Sequence, residues 1–190
     1  DKYAFCALES SETNCKEFLR PYLAEAVASV CGDDVELCAV CVAKGMEFLN
    51  APYETIQKVT EDLVRSDGER YCFSKSQEEV DTLLWEAQLK YVFPLVENYR
   101  RYFVKKYYAF IKAALPINNG YGDQVMVPEE AELGNLMYLV ERGGIPVSAE
   151  ESMELKRYRK ARNELAHMNL LSNEELCVIL KAGKHKTASD

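Results

Sequence analysis

Apolar residues recur at three- and four-residue steps along most of this chain, in runs bounded by proline, glycine and serine–acid signals, and the pattern predicts an all-α fold. Residues 12–30 and 35–49 carry the first two helical runs. Asn50-Ala51-Pro52 closes the second and opens a third, from Tyr53 to about Arg65. Ser66-Asp67-Gly68 is turn chemistry, and Tyr71-Cys72-Phe73 is long enough only for a connector or one edge strand, so a boundary is expected here. Beyond it, Ser76-Gln77-Glu78-Glu79 has the form of a capping box, in which the serine oxygen accepts from an early helix N–H and the glutamate reaches back to the cap.

A long run follows through Leu83, Leu84, Ala87, Leu89, Tyr91 and Val92 and resumes after Pro94 through Val96, Tyr99, Phe103, Tyr107, Phe110 and Ile111 to Leu115. Pro94 lacks a backbone donor and crowds the preceding turn, which predicts either a kink or a split into two helices. Residues 116–127, with Asn118-Asn119-Gly120 and Gly122, read as a loop of the length that often binds or moves. Pro128-Glu129-Glu130 is expected to open another helix, to about Val140, which Arg142-Gly143-Gly144-Ile145-Pro146 ends. Two further capping boxes, Ser148-Ala149-Glu150-Glu151 and Ser172-Asn173-Glu174-Glu175, start the last two helices. The expected organisation is a helical N-terminal unit over residues 1–70, a second helical domain over 76–181 and a basic tail over 182–190.

Composition narrows the class. An apolar fraction of 48% and a charged fraction of 28% are those of an ordinary globular chain rather than a disordered or collagenous one. No run reaches the roughly 18 uninterrupted apolar residues of a membrane span, and the start lacks a basic-then-apolar secretory pattern; a cytoplasmic protein without membrane partners is expected. The first residue is Asp1 rather than methionine, from which an excised or trimmed chain with flanking domains or a regulatory partner is expected. Seven cysteines at irregular spacing, mostly inside apolar runs, fit a reducing compartment better than a disulfide framework. Cys38-Ala39-Val40-Cys41 has CxxC spacing, but zinc would need two further ligands at a similar spacing, and neither a second CxxC nor a histidine pair follows. Both thiols are expected on one face of a buried helix, with no metal or cofactor.

Charge is divided unevenly: residues 1–90 carry 9 Lys+Arg against 18 Asp+Glu, residues 91–190 carry 14 against 13. In the second half Arg100, Arg101, Lys105, Lys106 and Lys112 form one cationic group, and Lys156, Arg157, Arg159, Lys160 and Arg162 another, each also readable as an ordinary solvated helix face. The chain has 2 histidines. His185 lies in the lysine-rich tail, so imidazole chemistry near neutral pH falls to His167. His167 closes the segment Arg162-Asn163-Glu164-Leu165-Ala166-His167, which sets a cation, an amide and an imidazole within two helical turns. At about 100° per residue, Arg159, Asn163 and His167 share a face, while Arg162 and His167 diverge by roughly 140°. One helix does not aim both at the same atom without a bend, long side-chain reach or a second copy of the helix.

The segment resembles the R-x4-6-H signature, with a polar residue after the arginine, of the HEPN domains (higher eukaryotes and prokaryotes nucleotide-binding), and the resemblance extends over residues 76–181. It implies a HEPN-like helical bundle and a metal-independent endoribonuclease, an effector, toxin or antiviral-defence module, or else a non-catalytic RNA- or nucleotide-binding relative. It further implies a homodimer whose two motifs face each other. On this reading Arg162, Asn163 and His167 are catalytic, and Arg159 and Lys160 hold RNA. Cleavage of a phosphodiester needs a base for the 2′-hydroxyl, an acid for the leaving 5′-oxygen and a cation for the phosphoryl oxygens, which imidazole and guanidinium supply. Two other readings stay open. His167 could cap helix carbonyls and Arg162 pair with Glu151, Glu154 or Glu164, making the chain a dimerisation or regulatory segment of a larger ATPase-like protein; or the site binds RNA or nucleotide without cutting. Residues 1–70 lie outside the resemblance and suggest no function.

Overall fold

The computed structural model describes residues 2–10, 12–118 and 124–186, with the backbone alone at 2, 10 and 183–186. Residues 187–190 of the basic tail and 119–123 of the Asn-Gly loop lie outside the described residues, as does the side chain of His185. Among the described residues the chain is all-α apart from one two-residue ladder.

The helices fall into two compact units. The first draws its described residues from Asp1–Tyr91 and Met168–Asp190, the second from Val92–His167. In the first, α1 (Lys2–Ser10) packs on α2 (Arg20–Cys31) and α3 (Val35–Lys44). Helix α1 is not among the runs expected from periodicity, although its buried Ala4 and Leu8 keep the four-residue step. Residues 12–16, expected at the start of a helix, are not helical. The Thr13 hydroxyl donates to Val42 O at 2.9 Å and Asn14 O accepts from Met46 N–H at 3.2 Å, so tertiary contacts hold this segment outside the helix. The helix proper begins at Arg20 with Pro21 in its first turn, where the missing N–H costs nothing.

The run expected over 35–49 is two helices, α3 and α4 (Met46–Asn50), parted by Gly45 at φ +54°. A β-carbon there would lie 2.6 Å from Thr13 Oγ1 and 2.9 Å from Asn14 O, so only glycine admits the crossing segment. Asp34 caps α3, its carboxylate accepting from Leu37 N–H at 3.0 Å. Cys38 and Cys41 are buried on α3 beside Cys31, whose thiol is held far above the ordinary range by contact with Cys38 and Cys41 and by burial. Helix α5 (Pro52–Asp62) completes the N-terminal helices.

Helix α6 (Gln77–Lys106) opens on the capping box, Glu79 N–H donating to Ser76 Oγ at 3.3 Å and Ser76 N–H to Glu79 Oε2 at 2.7 Å. Residues 77–91 belong to the first unit. There buried Gln88 accepts from Leu171 N–H at 2.8 Å and donates to Leu171 O at 3.1 Å and Tyr22 Oη at 3.3 Å. One amide thereby satisfies both backbone groups of Leu171, just ahead of the capping box of α10 (Asn173–Lys186).

In the second unit, α6 continues through Pro94 instead of splitting and ends only at Tyr107 (φ −107°, ψ 20°), after which α7 (Tyr108–Ala113) follows. The inward residues Tyr99, Phe103, Tyr107 and Ile111 keep a strict four-residue step. The expected loop contains a ladder of β1 (Ile117–Asn118) and β2 (Gln124–Val125). Pro128–Glu130 makes one 3-10 turn, and α8 (Leu133–Glu141) starts later than expected. The reason is Arg100: its guanidinium donates to Glu129 O at 2.7 Å and Ala131 O at 3.2 Å, drawing away carbonyls that a continuing helix would use. Helix α9 (Ala149–Ala166) packs on α8, and its Tyr158 stacks on Tyr99 at 4.0 Å between ring centres.

Candidate functional site

Helix α9 carries the Arg162–His167 segment, and its start is fixed by the predicted capping box. Glu151 N–H donates to Ser148 Oγ at 3.2 Å, and Ser148 N–H to Glu151 Oε2 at 3.0 Å. The other Glu151 oxygen accepts from Tyr107 Oη at 2.8 Å and pairs with Lys106. The Lys106 ammonium, with the Ser148 N–H and the Tyr107 hydroxyl, lowers the Glu151 carboxyl to about 2, so it stays an anion throughout the physiological range. This sharpens the two readings of Arg162: Glu151, one of its three candidate partners, is already engaged by Lys106 and Tyr107.

Leu155, Tyr158, Ala161 and Leu165 form the buried stripe that docks α9. Against it, Arg159, Lys160, Arg162 and His167 are exposed and Asn163 is half-buried. Among the described residues neither the Arg162 guanidinium nor the His167 imidazole engages a side chain in a hydrogen bond or ion pair. Lys160 and Glu164 each have a partner. The structure thus sets Arg162, Asn163 and His167 within the last turn and a half of one helix, with the guanidinium and the imidazole open to solvent.

The helix ends at His167, whose backbone N–H donates to Asn163 O and Glu164 O at 3.1 Å each. The next residue, Met168, takes φ +61°, the left-handed turn that usually belongs to glycine. Among the described residues it is the one non-glycine with positive φ, and its side chain is exposed. Relieving that conformation stabilises: Met168→Gly is expected to raise unfolding free energy by up to about 1 kcal/mol in a denaturant titration. An exposed methionine in a relaxed backbone would instead lose stability on the same change.

The two cationic groups read from sequence separate. Arg100 is structural, its side chain 16% exposed and bound to Glu97 as well as to the two carbonyls. Its guanidinium, and then that of Arg101, hold the Glu97 carboxyl near 2. Lys106 belongs to Glu151. Arg101, Lys105 and Lys112 are exposed, as are Lys156, Arg157, Arg159, Lys160 and Arg162. By unit, Val92–His167 carries 11 Lys+Arg against 10 Asp+Glu, and the rest of the chain 12 against 21, so the motif lies in the less acidic part. Exposed Tyr102, Tyr108 and Phe110 were not among the site residues expected from sequence; periodicity alone reads an aromatic on a helix as core.

Comparison with known proteins leaves this geometry to be judged by itself. No family model, no curated protein and no solved structure matches the chain.

Proposed function

We propose that the chain is a HEPN-type, metal-independent endoribonuclease that cuts RNA by attack of a 2′-hydroxyl on the adjacent phosphodiester. The observation that carries this reading is the state of the motif. Arg162 and His167 lie exposed on the outer surface of a firmly capped helix, and neither is held by an acid among the described residues. A structural role would place Arg162 against a carboxylate or the His167 imidazole on the last helix carbonyls. The lower acidity of Val92–His167 supports an anionic substrate there.

In the proposed reaction His167 takes the 2′-hydroxyl proton, the 2′-oxygen bonds to phosphorus, and the bond to the 5′-oxygen breaks. The leaving oxygen takes a proton from the partner subunit's His167. Arg162, forked and permanently charged, binds the phosphoryl oxygens as charge accumulates on them. Asn163, half-buried, orients the substrate or the imidazole without adding negative charge, and Arg159 and Lys160 hold neighbouring phosphates. The divergence of Arg162 and His167 by roughly 140° on one helix is what calls for a homodimer, since a second copy completes each site.

Incubation of the purified chain with labelled RNA in EDTA tests the reading. Cleavage leaving 2′,3′-cyclic phosphate and 5′-hydroxyl ends is expected. Arg162→Ala is expected to lose cleavage and to weaken RNA binding, with a shallower salt dependence, because a phosphate contact goes. Tight RNA or nucleotide binding without any cleavage would move the protein to the non-catalytic reading. Absence of both would leave the scaffold reading.

A further inference from the structure

Residues 98–122 contain no Asp or Glu, in a chain of net charge −8, yet hold 5 Lys+Arg and 7 aromatic residues. Among the described residues, most of these lie on two faces. Tyr99, Phe103, Tyr107 and Ile111 are buried, filling the core side. Arg101, Tyr102, Lys105, Tyr108 and Lys112 are exposed, Tyr102 at 45% and Tyr108 at 40%. On α6, Arg101, Tyr102 and Lys105 fall within an arc of roughly 100° on the side away from Tyr99 and Phe103, and on α7 Tyr108 and Lys112 lie within roughly 40° of each other. Arg101 to Lys105 spans about 6 Å along α6, and Tyr108 to Lys112 about 6 Å along α7, at helical rise.

We infer that this face, Arg101-Tyr102-Lys105-Tyr108-Lys112, is a docking track for single-stranded RNA, its two tyrosine rings stacking on bases and its cations meeting the phosphates between them. The choice of RNA rests on the ribonuclease reading; the existence of an anion- and base-binding face does not. The core stripe is complete without Tyr102 and Tyr108, so their rings are available to an outside partner. Alternation of rings with cations, free of acids, is the composition that binds single strands without sequence preference, since every base offers a π-face. Lys106 lies 6.0 Å above the Tyr102 ring and is tethered to Glu151, which braces that ring from one side. Glu97 pairs with Arg101 at 2.9 Å, which makes Lys105 and Lys112 the main phosphate partners of the track. A lipid surface is the weaker match: Phe110 is the one exposed large apolar side chain without a polar group among the described residues from 98 to 118, too little apolar surface to enter a bilayer.

The test uses the full chain and a fluorescein-labelled oligouridylate with 2′-O-methyl riboses, which binds but cannot be cut by 2′-oxygen attack. Tyr102→Ala with Tyr108→Ala is expected to weaken binding by about a hundredfold, roughly tenfold per lost stacking partner, without changing the salt slope. Lys105→Gln with Lys112→Gln is expected to flatten the slope of log affinity against log salt by about 0.7 per charge. Thermal melting should match the parent for all four changes, because the side chains are exposed. Parent-like affinity in the folded double-tyrosine variant overturns the track. So does binding to phosphatidylserine vesicles that the tyrosine changes abolish while RNA binding persists. Failure of the two ideas separates cleanly. A chain that binds the methylated RNA through these rings but cuts no natural RNA keeps the track and loses the ribonuclease, and cutting with a neutral tyrosine pair does the reverse.

Discussion

Replacing His167 by alanine is expected to lower RNA cleavage by about a hundredfold or more while RNA affinity stays close to that of the parent chain. The two expectations have separate physical origins. Proton transfer needs a side chain that both accepts and releases a proton, and of the two histidines only His167 lies in the motif. Affinity comes mainly from permanent cations, and the substitution removes none. Folding stability should change by no more than about 0.5 kcal/mol, because the imidazole is exposed and the bonds that end α9 come from the His167 backbone N–H. Single-turnover cleavage alongside a denaturant titration makes the measurement. A His167→Ala chain that cuts at the parent rate, free of contaminating nuclease, sinks the catalytic role.

Leu165→Ala, two residues away, should do the opposite. Leu165 is fully buried, with 0% of its surface exposed, in the stripe that docks α9 within the second unit. Truncating it removes three carbons' worth of transfer free energy and leaves a cavity, a loss of about 2–5 kcal/mol. Against an ordinary domain stability of about 5–15 kcal/mol, that is a large fraction. Any fall in cleavage should then track the population of unfolded chain and recover at lower temperature, whereas the His167 defect persists in fully folded protein. A loss below about 1 kcal/mol would show that α9 is not held by this stripe.

Much of the helical content was legible in the sequence because local signals and burial agree. All three predicted capping boxes close, at Ser76, Ser148 and Ser172, since each needs only residues within one turn. The boundaries that were misread share a different cause. The start of α2, the break at Gly45 and the late start of α8 are each set by a partner distant in sequence: Val42 for Thr13, Asn14 for Met46, and Arg100 for the carbonyls of Glu129 and Ala131. Of the two outcomes expected at Pro94, the split does not occur: α6 runs through it, and the chain leaves the helix at Tyr107 instead.

The sequence by itself determined that this chain is helical, that residues 91–190 are less acidic than residues 1–90, and that one segment brings together arginine, amide and imidazole. Those properties depend on residue type and on spacing within a few turns. Only the tertiary structure decided which charges are spent and which remain outward. Arg100 and Lys106 look in sequence like Arg101 and Lys105, but backbone carbonyls and Glu151 engage the first two. Tyr99 and Tyr102 likewise share a helix, and the four-residue stripe buries one and leaves the other exposed. A side chain's availability depends on what packs beside it, and that is settled by contacts between residues dozens of positions apart.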